Sequence, residues 1–423
     1  MLDLPSIRRQ FPILSQKIDG KPLIYLDSAA TTQKPQAVLD RMQKFYGEEN
    51  ANVHRGMHVL AERATVAYEH ARVTVQNFLN AQRPEEIIFT KSCTESINLV
   101  ARSWGRAHLR EGDAVVLTVL EHHSNVVPWL QLKEDLGIDI QWIDIDDHGH
   151  LKTEMLDAFL KKGNVKLVAV TAQSNVLGVR PPLPDIITKA HAHGALVLVD
   201  AAQSVAHHQT DVQELDCDFL AFSGHKLYGP GGIGVLYGKK EHLESMPPFL
   251  GGGMMIQEVH QDRFTPADIP QKFEAGTPAI AEAVGLAAAI EWIGQYSWEE
   301  IEDHEQSLIA AAVETLHVIP KITILGPGNG GARHGSASLT TGALPLQSGC
   351  LSFVTEGVHP HDLTEILGRQ GICLRAGHHC TQPLHRRLGI TASTRLSVGI
   401  YNTEEEITPV RTAVIQAVKK LSS

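Results

Sequence analysis

At 423 residues the chain exceeds the ~100 to 200 residues usual for one domain, and its 43% hydrophobic content is ample for the cores of two. A formal net charge of −11 argues against a nucleic-acid partner, whose footprint would be basic, and no apolar run of about 18 residues is present to span a membrane. The first residues, Met-Leu-Asp-Leu-Pro-Ser-Ile-Arg-Arg-Gln, lack the apolar segment of a secretory signal, which predicts a cytoplasmic chain. The five cysteines, at 93, 217, 350, 373 and 380, include no Cys-x-x-Cys and fit free thiols better than a disulfide framework or a metal site.

In chain order, a short helix is predicted at Pro5–Gln10 and another from Pro35. Asn50-Ala-Asn-Val-His54-Arg55-Gly56 reads as a polar turn, on its residues alone a solvated loop. From residue 60, helical and strand periods alternate, which predicts a mostly parallel sheet with helical crossovers. Strands are predicted at Glu86–Thr90, Ala114–Thr118, Ile138–Ile143, Lys166–Thr171, Ala195–Asp200, Phe219–Phe222 and Gly232–Tyr237. After the first comes Ser92-Cys93-Thr94-Glu, a turn opening a helix, which serves equally well as a plain N-cap or as an anion cradle of free N–H groups. Glu121-His122-His123 follows the second strand and Ser174-Asn175 the fourth, both at the edge where open α/β sheets place ligands. Residues 246–278 read as a long irregular segment ending in Glu274-Ala-Gly-Thr277-Pro278, a helix cap with proline at the first helical position. An alanine-rich helix, Ala279–Tyr296, then leads into a smaller unit. There we expect a helix at Glu299–His317, strands at Ile322–Leu325 and Leu351–Val354, a helix at Pro360–Gln370, strands at Ile372–Leu374 and Thr394–Val398, and a last helix from Thr403.

Two strand ends carry the chemistry. Leu196-Val-Leu-Val-Asp200 finishes a buried run on an acid, which is unfavourable unless the acid is paired, and a protonated ring nitrogen is one good partner. Phe219-Leu-Ala-Phe-Ser-Gly-His-Lys226 finishes on a lysine able to form a Schiff base, and the pair suggests pyridoxal 5′-phosphate. With Arg375-Ala-Gly-His-His-Cys380 added, the chain resembles the pyridoxal-phosphate cysteine desulfurases of the class-V aminotransferase group, in the branch whose cysteine loop reads Arg-x-Gly-His-His-Cys. The resemblance covers nearly the whole chain. It implies an α/β fold of the aspartate-aminotransferase type (PLP fold type I), with a seven-stranded, mostly parallel sheet in a large domain and a smaller α+β domain. The large domain is expected at 17–296, and the small one at 1–16 and 297–423.

The resemblance also implies roles. Lys226 holds the cofactor and then acts as base, and Cys380 takes the sulfur of L-cysteine as a persulfide while L-alanine leaves. His123 lies against the cofactor ring and transfers protons. Asp200 faces the ring nitrogen, and Gln203 and Asn175 lie at the phenolic oxygen. Cys93, Thr94, Ser223 and His225 hold the phosphate, with Thr277 reaching the phosphate of a neighbouring subunit. Arg395 binds the substrate carboxylate, with Arg375, His54, Arg55 and Asn175 also on the substrate side. Arg375, His378 and His379 are expected to surround the Cys380 thiolate with positive charge. The implied partners are a second copy of the chain and a sulfur-acceptor or scaffold protein for iron–sulfur cluster assembly. L-selenocysteine is an alternative substrate, and an aminotransferase would not need Cys380. Between Gly326 and Gly349 the chain is longer than the family pattern, so a surface insertion is expected at 327–348.

Overall fold

The structure is a computed structural model that describes residues 2–329 and 349–421, so the expected insertion at 327–348 lies almost wholly outside the described residues. Seven strands form the main sheet: β1 (Ile87–Thr90), β2 (Ala114–Thr118), β3 (Asp139–Ile143), β4 (Val165–Thr171), β5 (Leu196–Asp200), β6 (Phe219–Ser223) and β7 (Gly234–Gly238). Their spatial order is β1-β7-β6-β5-β4-β2-β3. All pairs are parallel except those of β7, which runs against both β1 and β6. β1, β2, β6 and β7 are buried at every residue, as strands covered on both faces must be, which is why they read as unbroken apolar runs. Two helices that matter here are α1 (Val59–Leu79) and α2 (Cys93–Val100). The alanine-rich segment forms α3 (Ile280–Ile293), which packs on α1 through a nearly all-round buried surface.

Six strands point their carboxyl ends at one edge, and the loops after β1, β2, β4, β5 and β6 meet there. Because β7 runs the other way, it starts at that edge: Gly234 is paired with Thr90 on one side and Ser223 on the other. β7 therefore begins two residues later than the predicted Gly232.

The smaller unit has an antiparallel sheet in the order β8-β9-β11-β10, built from β8 (Ile322–Ile324), β9 (Cys350–Thr355), β10 (Arg375–Gly377) and β11 (Ser393–Ser397). Helices α4 (Trp298–His317), α5 (Pro360–Gly368), α6 (Gln382–Arg387) and α7 (Glu404–Leu421) accompany it. Leu308, Phe353, Leu363, Leu396 and Val410 share its core. The strand expected at Ile372–Leu374 is shorter and lies outside this sheet, since Ile372–Cys373 pairs in parallel with Ile24–Tyr25. The segment expected to be irregular at 246–278 contains a short hairpin, Ile256–Val259 against Phe264–Pro266. The N-terminal arm crosses between the two units, with Phe11 edge-on to Trp292 at 5.2 Å and to Tyr401 at 4.8 Å.

Candidate active site

At the carboxyl edge of the main sheet lies a cavity of about 190 Å³, walled by the loops of both units. Asp200 forms its floor at the end of β5, 3% exposed, with Oδ1 accepting from Ala202 N at 3.0 Å and from the Cys93 thiol at 3.3 Å. Burial holds the carboxyl above the usual carboxylate range, opposed by the Ala202 amide and the nearby Lys226. Lys226 sits one short turn after β6 and lines the same cavity. Burial pushes its amine below the ordinary lysine value, and Asp200 only partly offsets this.

The wall at the start of α2 is made by Ser92, Cys93 and Thr94. Ser92 caps the helix by accepting from Glu95 N at 3.3 Å, while Cys93 N donates to Ser223 Oγ at 2.8 Å. The helix dipole makes this end attractive to an anion. Ser223 and His225 lie beside it. Gln203 reaches across, donating from Nε2 to Ala29 O at 3.0 Å.

The smaller unit supplies Arg375 on β10, Arg395 on β11 and His379. Arg395 is 1% exposed, and its guanidinium donates to Asn175 O at 2.9 Å and to Asp27 Oδ1 at 3.0 Å. Asn175 in turn donates from Nδ2 to His379 O at 2.7 Å. Cys380 is half-buried on the loop between β10 and α6. Its carbonyl accepts from His123 N at 2.7 Å. His379 and Cys380 have φ of 48° and 58°, two successive non-glycine residues in the left-handed region.

Of the residues expected at the site, Cys93, Thr94, Asn175, Asp200, Gln203, Ser223, His225, Lys226, Arg375 and Arg395 line this one cavity. His123 does not. The short turn His123–Asn125 directs His122 inward instead, with its Nδ1 held by Ser124 N at 3.1 Å and Ser124 Oγ at 2.8 Å. Burial and Lys226 keep the His122 ring neutral, its pKa pushed down to about 3. His123 faces the cysteine loop, its Nε2 accepting from Gln382 N at 3.0 Å. The expectation that His379 adds positive charge beside Cys380 is corrected too: burial, with Arg395 beside it, pushes its pKa to about 2 and leaves it uncharged. His54, Arg55 and Thr277 are exposed and lie outside the cavity lining, with His54 Nε2 3.3 Å from Glu69.

Among the residues in and around the site that were given no role from sequence, three make bonds or contacts of note. Asp27 holds Arg395, and Thr171 lines the cavity beside Asp200. Glu121 lies fully buried, accepting from Thr118 Oγ1 at 2.6 Å, Thr171 N at 3.0 Å and Asn125 Nδ2 at 2.8 Å, and burial pushes its pKa up to about 8. An acid three residues after a buried strand was the available signal for Glu121, fainter than the strand-ending acid that drew attention to Asp200.

Residues 24–410 match the family described as Aminotransferase class-V. A cysteine desulfurase of Dickeya dadantii is 45% identical over 405 residues, covering 96% of this chain and 94% of that protein. A cysteine desulfurase of Synechococcus elongatus is 44% identical over 412 residues, covering 97% of this chain, which spans 63% of the length of that longer relative. Among solved structures, the cysteine desulfurase CsdA of Escherichia coli superposes with a TM-score of 0.87 at 39% identity, covering 100% of this chain and 99% of that one. The cysteine desulfurase of Thermococcus onnurineus NA1 gives 0.90 at 38%, with 99% of each chain covered. With a shared fold, full-length similarity and a buried lysine–aspartate pair in a common cavity, the chain belongs to the cysteine desulfurases of the class-V aminotransferase family.

Proposed function

We propose that the chain is a pyridoxal-phosphate cysteine desulfurase that converts L-cysteine to L-alanine and holds the sulfur as a persulfide on Cys380. The observation that carries this is one cavity lined by Lys226, Asp200 and Arg395, with the strained Cys380 loop bonded to its walls. The donor set fits the cofactor. A helix N-terminus with Cys93, Thr94, Ser223 and His225 suits its phosphate, Asp200 its ring nitrogen, and Gln203 and Asn175 its phenolic side. Geometry favours His122 over His123 for the place against its ring. Bound there, the cofactor supplies an electron sink for bonds at the substrate's α-carbon.

Arg395, with Arg375 beside it, holds the substrate carboxylate. The Lys226 amine, whose proton affinity burial lowers, takes the α-proton. Cys380 Sγ then forms a bond to the substrate sulfur, and the carbon–sulfur bond breaks with its electron pair moving to carbon, which is protonated to give alanine. The persulfide passes to a sulfur-acceptor or scaffold protein in the cytoplasm, for uses such as iron–sulfur cluster assembly.

A homodimer is part of this proposal. Met57, Val59, Leu60 and Val66 form an exposed apolar run beside His54 and Arg55, and a second copy seated there would bring those two residues and Thr277 towards a neighbouring cavity. Two sheets with separate cores support a large domain at 17–296 and a small one at 297–423, while Ile7, Phe11 and Leu14 of the expected 1–16 piece share the core of the large one.

The test is sulfide and alanine release from L-cysteine with a reductant, for the native protein and for Cys380→Ala. The variant is expected to keep its cofactor absorbance and to lose sulfide production. Sulfide release by the variant, or none from the cofactor-loaded native protein, would overturn the assignment.

A further inference from the structure

The loop that carries Cys380 rests on a buried hydrogen-bond chain that the reaction above does not use. His379 Nε2 lies 3.2 Å from Ser393 O and 3.1 Å from Ser393 Oγ. Ser393 Oγ lies 3.0 Å from His385 Nε2, and His385 Nδ1 lies 3.1 Å from Thr381 O and 3.4 Å from Thr381 Oγ1. Thr381 Oγ1 donates to His378 O at 2.8 Å. None of His379, Thr381, His385 and Ser393 is more than 3% exposed.

The directions in this chain follow from the atoms that can only accept. The Thr381 carbonyl, and a Thr381 hydroxyl already donating elsewhere, both require a proton on His385 Nδ1. Burial holds His385 below the ordinary histidine value, and the Thr381 and Gly377 carbonyls both bond its ring. Its Nε2 is within hydrogen-bond reach of Ser393 Oγ, which thereby bridges the two rings. The Ser393 carbonyl likewise requires a proton on His379 Nε2, which the Ser393 hydroxyl oxygen also accepts. Two Ser393 oxygens on one ring nitrogen hold the His379 ring in orientation and place its proton on Nε2.

That fixation has a use. His379 and Cys380 are both left-handed, a conformation unfavourable for non-glycine residues that persists only where the surroundings over-determine it. Asn175 holds the carbonyl of His379, and His123 N holds that of Cys380. The only one of these clamps that grips a side chain is the Ser393–His385 pair on the ring of His379.

We propose that Ser393 and His385 are positioning residues for sulfur transfer, acting through the ring of His379 to hold the Cys380 backbone in its left-handed turn. The inference rests on the desulfurase assignment. It separates two halves of the reaction, because removal of the substrate α-proton needs Lys226 and the cofactor, whereas sulfur transfer also needs Cys380 in place.

The experiment uses the cofactor-loaded protein and the variants Ser393→Ala, His385→Leu and His385→Gln. Gln can offer Ser393 an acceptor and Thr381 a donor. Two rates are measured: sulfide release from L-cysteine, and exchange of the α-proton of L-alanine in deuterated water by NMR. For Ser393→Ala and His385→Leu we expect kcat for sulfide to fall about tenfold with KM within about twofold, and exchange within about twofold of the native protein. His385→Gln is expected to restore at least half of the native kcat. Equal losses of sulfide release and exchange in Ser393→Ala and His385→Leu would overturn the proposal, as would native kcat in both. If Ser393→Ala fails to fold, the two His385 variants still decide it, since equal loss in Leu and Gln would also refute it. Failure of the desulfurase assignment would be seen separately, as native protein that exchanges the α-proton but releases no sulfide.

Discussion

Gly234 offers a direct test of how the sheet builds the wall proposed to hold the cofactor phosphate. It begins β7, the reversed strand, between Thr90 and Ser223, and its backbone packs against Ser92, the cap of α2. A Cβ added there would stand 2.4 Å from the Ser92 carbonyl carbon and 2.5 Å from its Cα, where ordinary contacts begin near 3.4 Å. Backbone cannot rotate away as a side chain can, so Gly234→Ala must displace Ser92 or β7 by about 1 Å. Overpacking of this kind costs roughly 1 to 3 kcal/mol. If only about 1.4 kcal/mol of it falls on the cofactor site, affinity drops tenfold. Gly231 is the control, on the same loop with nothing within 4 Å of an added Cβ. Cofactor-free protein would be titrated with pyridoxal phosphate by absorbance, and its thermal midpoint measured. We expect Gly234→Ala to bind at least tenfold more weakly and Gly231→Ala to match the native protein. Binding by Gly234→Ala within twofold of native, at an unchanged midpoint, would refute the claim that this contact sets the wall.

Two further outcomes are expected. Arg395→Lys replaces a planar fork, already held by Asp27 and Asn175, with a point charge, and should raise KM for L-cysteine about tenfold or more, read from steady-state sulfide release. Asp218 is 3% exposed in its side chain; burial alone would raise its pKa, but hydrogen bonds from His242, His191 and Val197 N, with Lys239 nearby, bring it down to about 2 from 3.8. A depressed acid stabilises the fold above its unfolded pKa and loses that contribution as pH falls through the folded value. About 2 kcal/mol is therefore at stake between roughly pH 4 and pH 2, and Asp218→Asn should be destabilising at pH 7 and nearly neutral at pH 2 by denaturant titration.

Much of the frame was legible because fully buried strands leave unbroken apolar runs, and strand ends that carry Asp200 and Lys226 break that pattern with groups that need partners. The reversal of β7 was not legible, since an all-apolar run such as Val235–Tyr237 has no direction written into it. The choice between His122 and His123 also failed at this level. Two adjacent histidines on a loop present opposite faces, and which one turns inward is decided by the short turn at His123–Asn125 and by Ser124, which holds the His122 ring. Asp27 was missed for another reason: nothing near it in sequence signals a partner on β11. Nor could sequence show that the histidine beside Cys380 is uncharged, because that depends on its burial among Arg395, His385 and Arg375.

The bonds that complete the site join residues far apart along the chain: Asp27 to Arg395 over 368 positions, Asn175 to Arg395 over 220, and Asn175 to His379 over 204. Contacts of such separation form late, after the loops they close have been drawn together. Synthesis runs from the N-terminus, so the lysine and its acid emerge and pack well before the arginine and the thiol exist. A partly made chain can thus own a folded sheet without owning a working centre, and the reactive sulfur chemistry begins only with the completed protein.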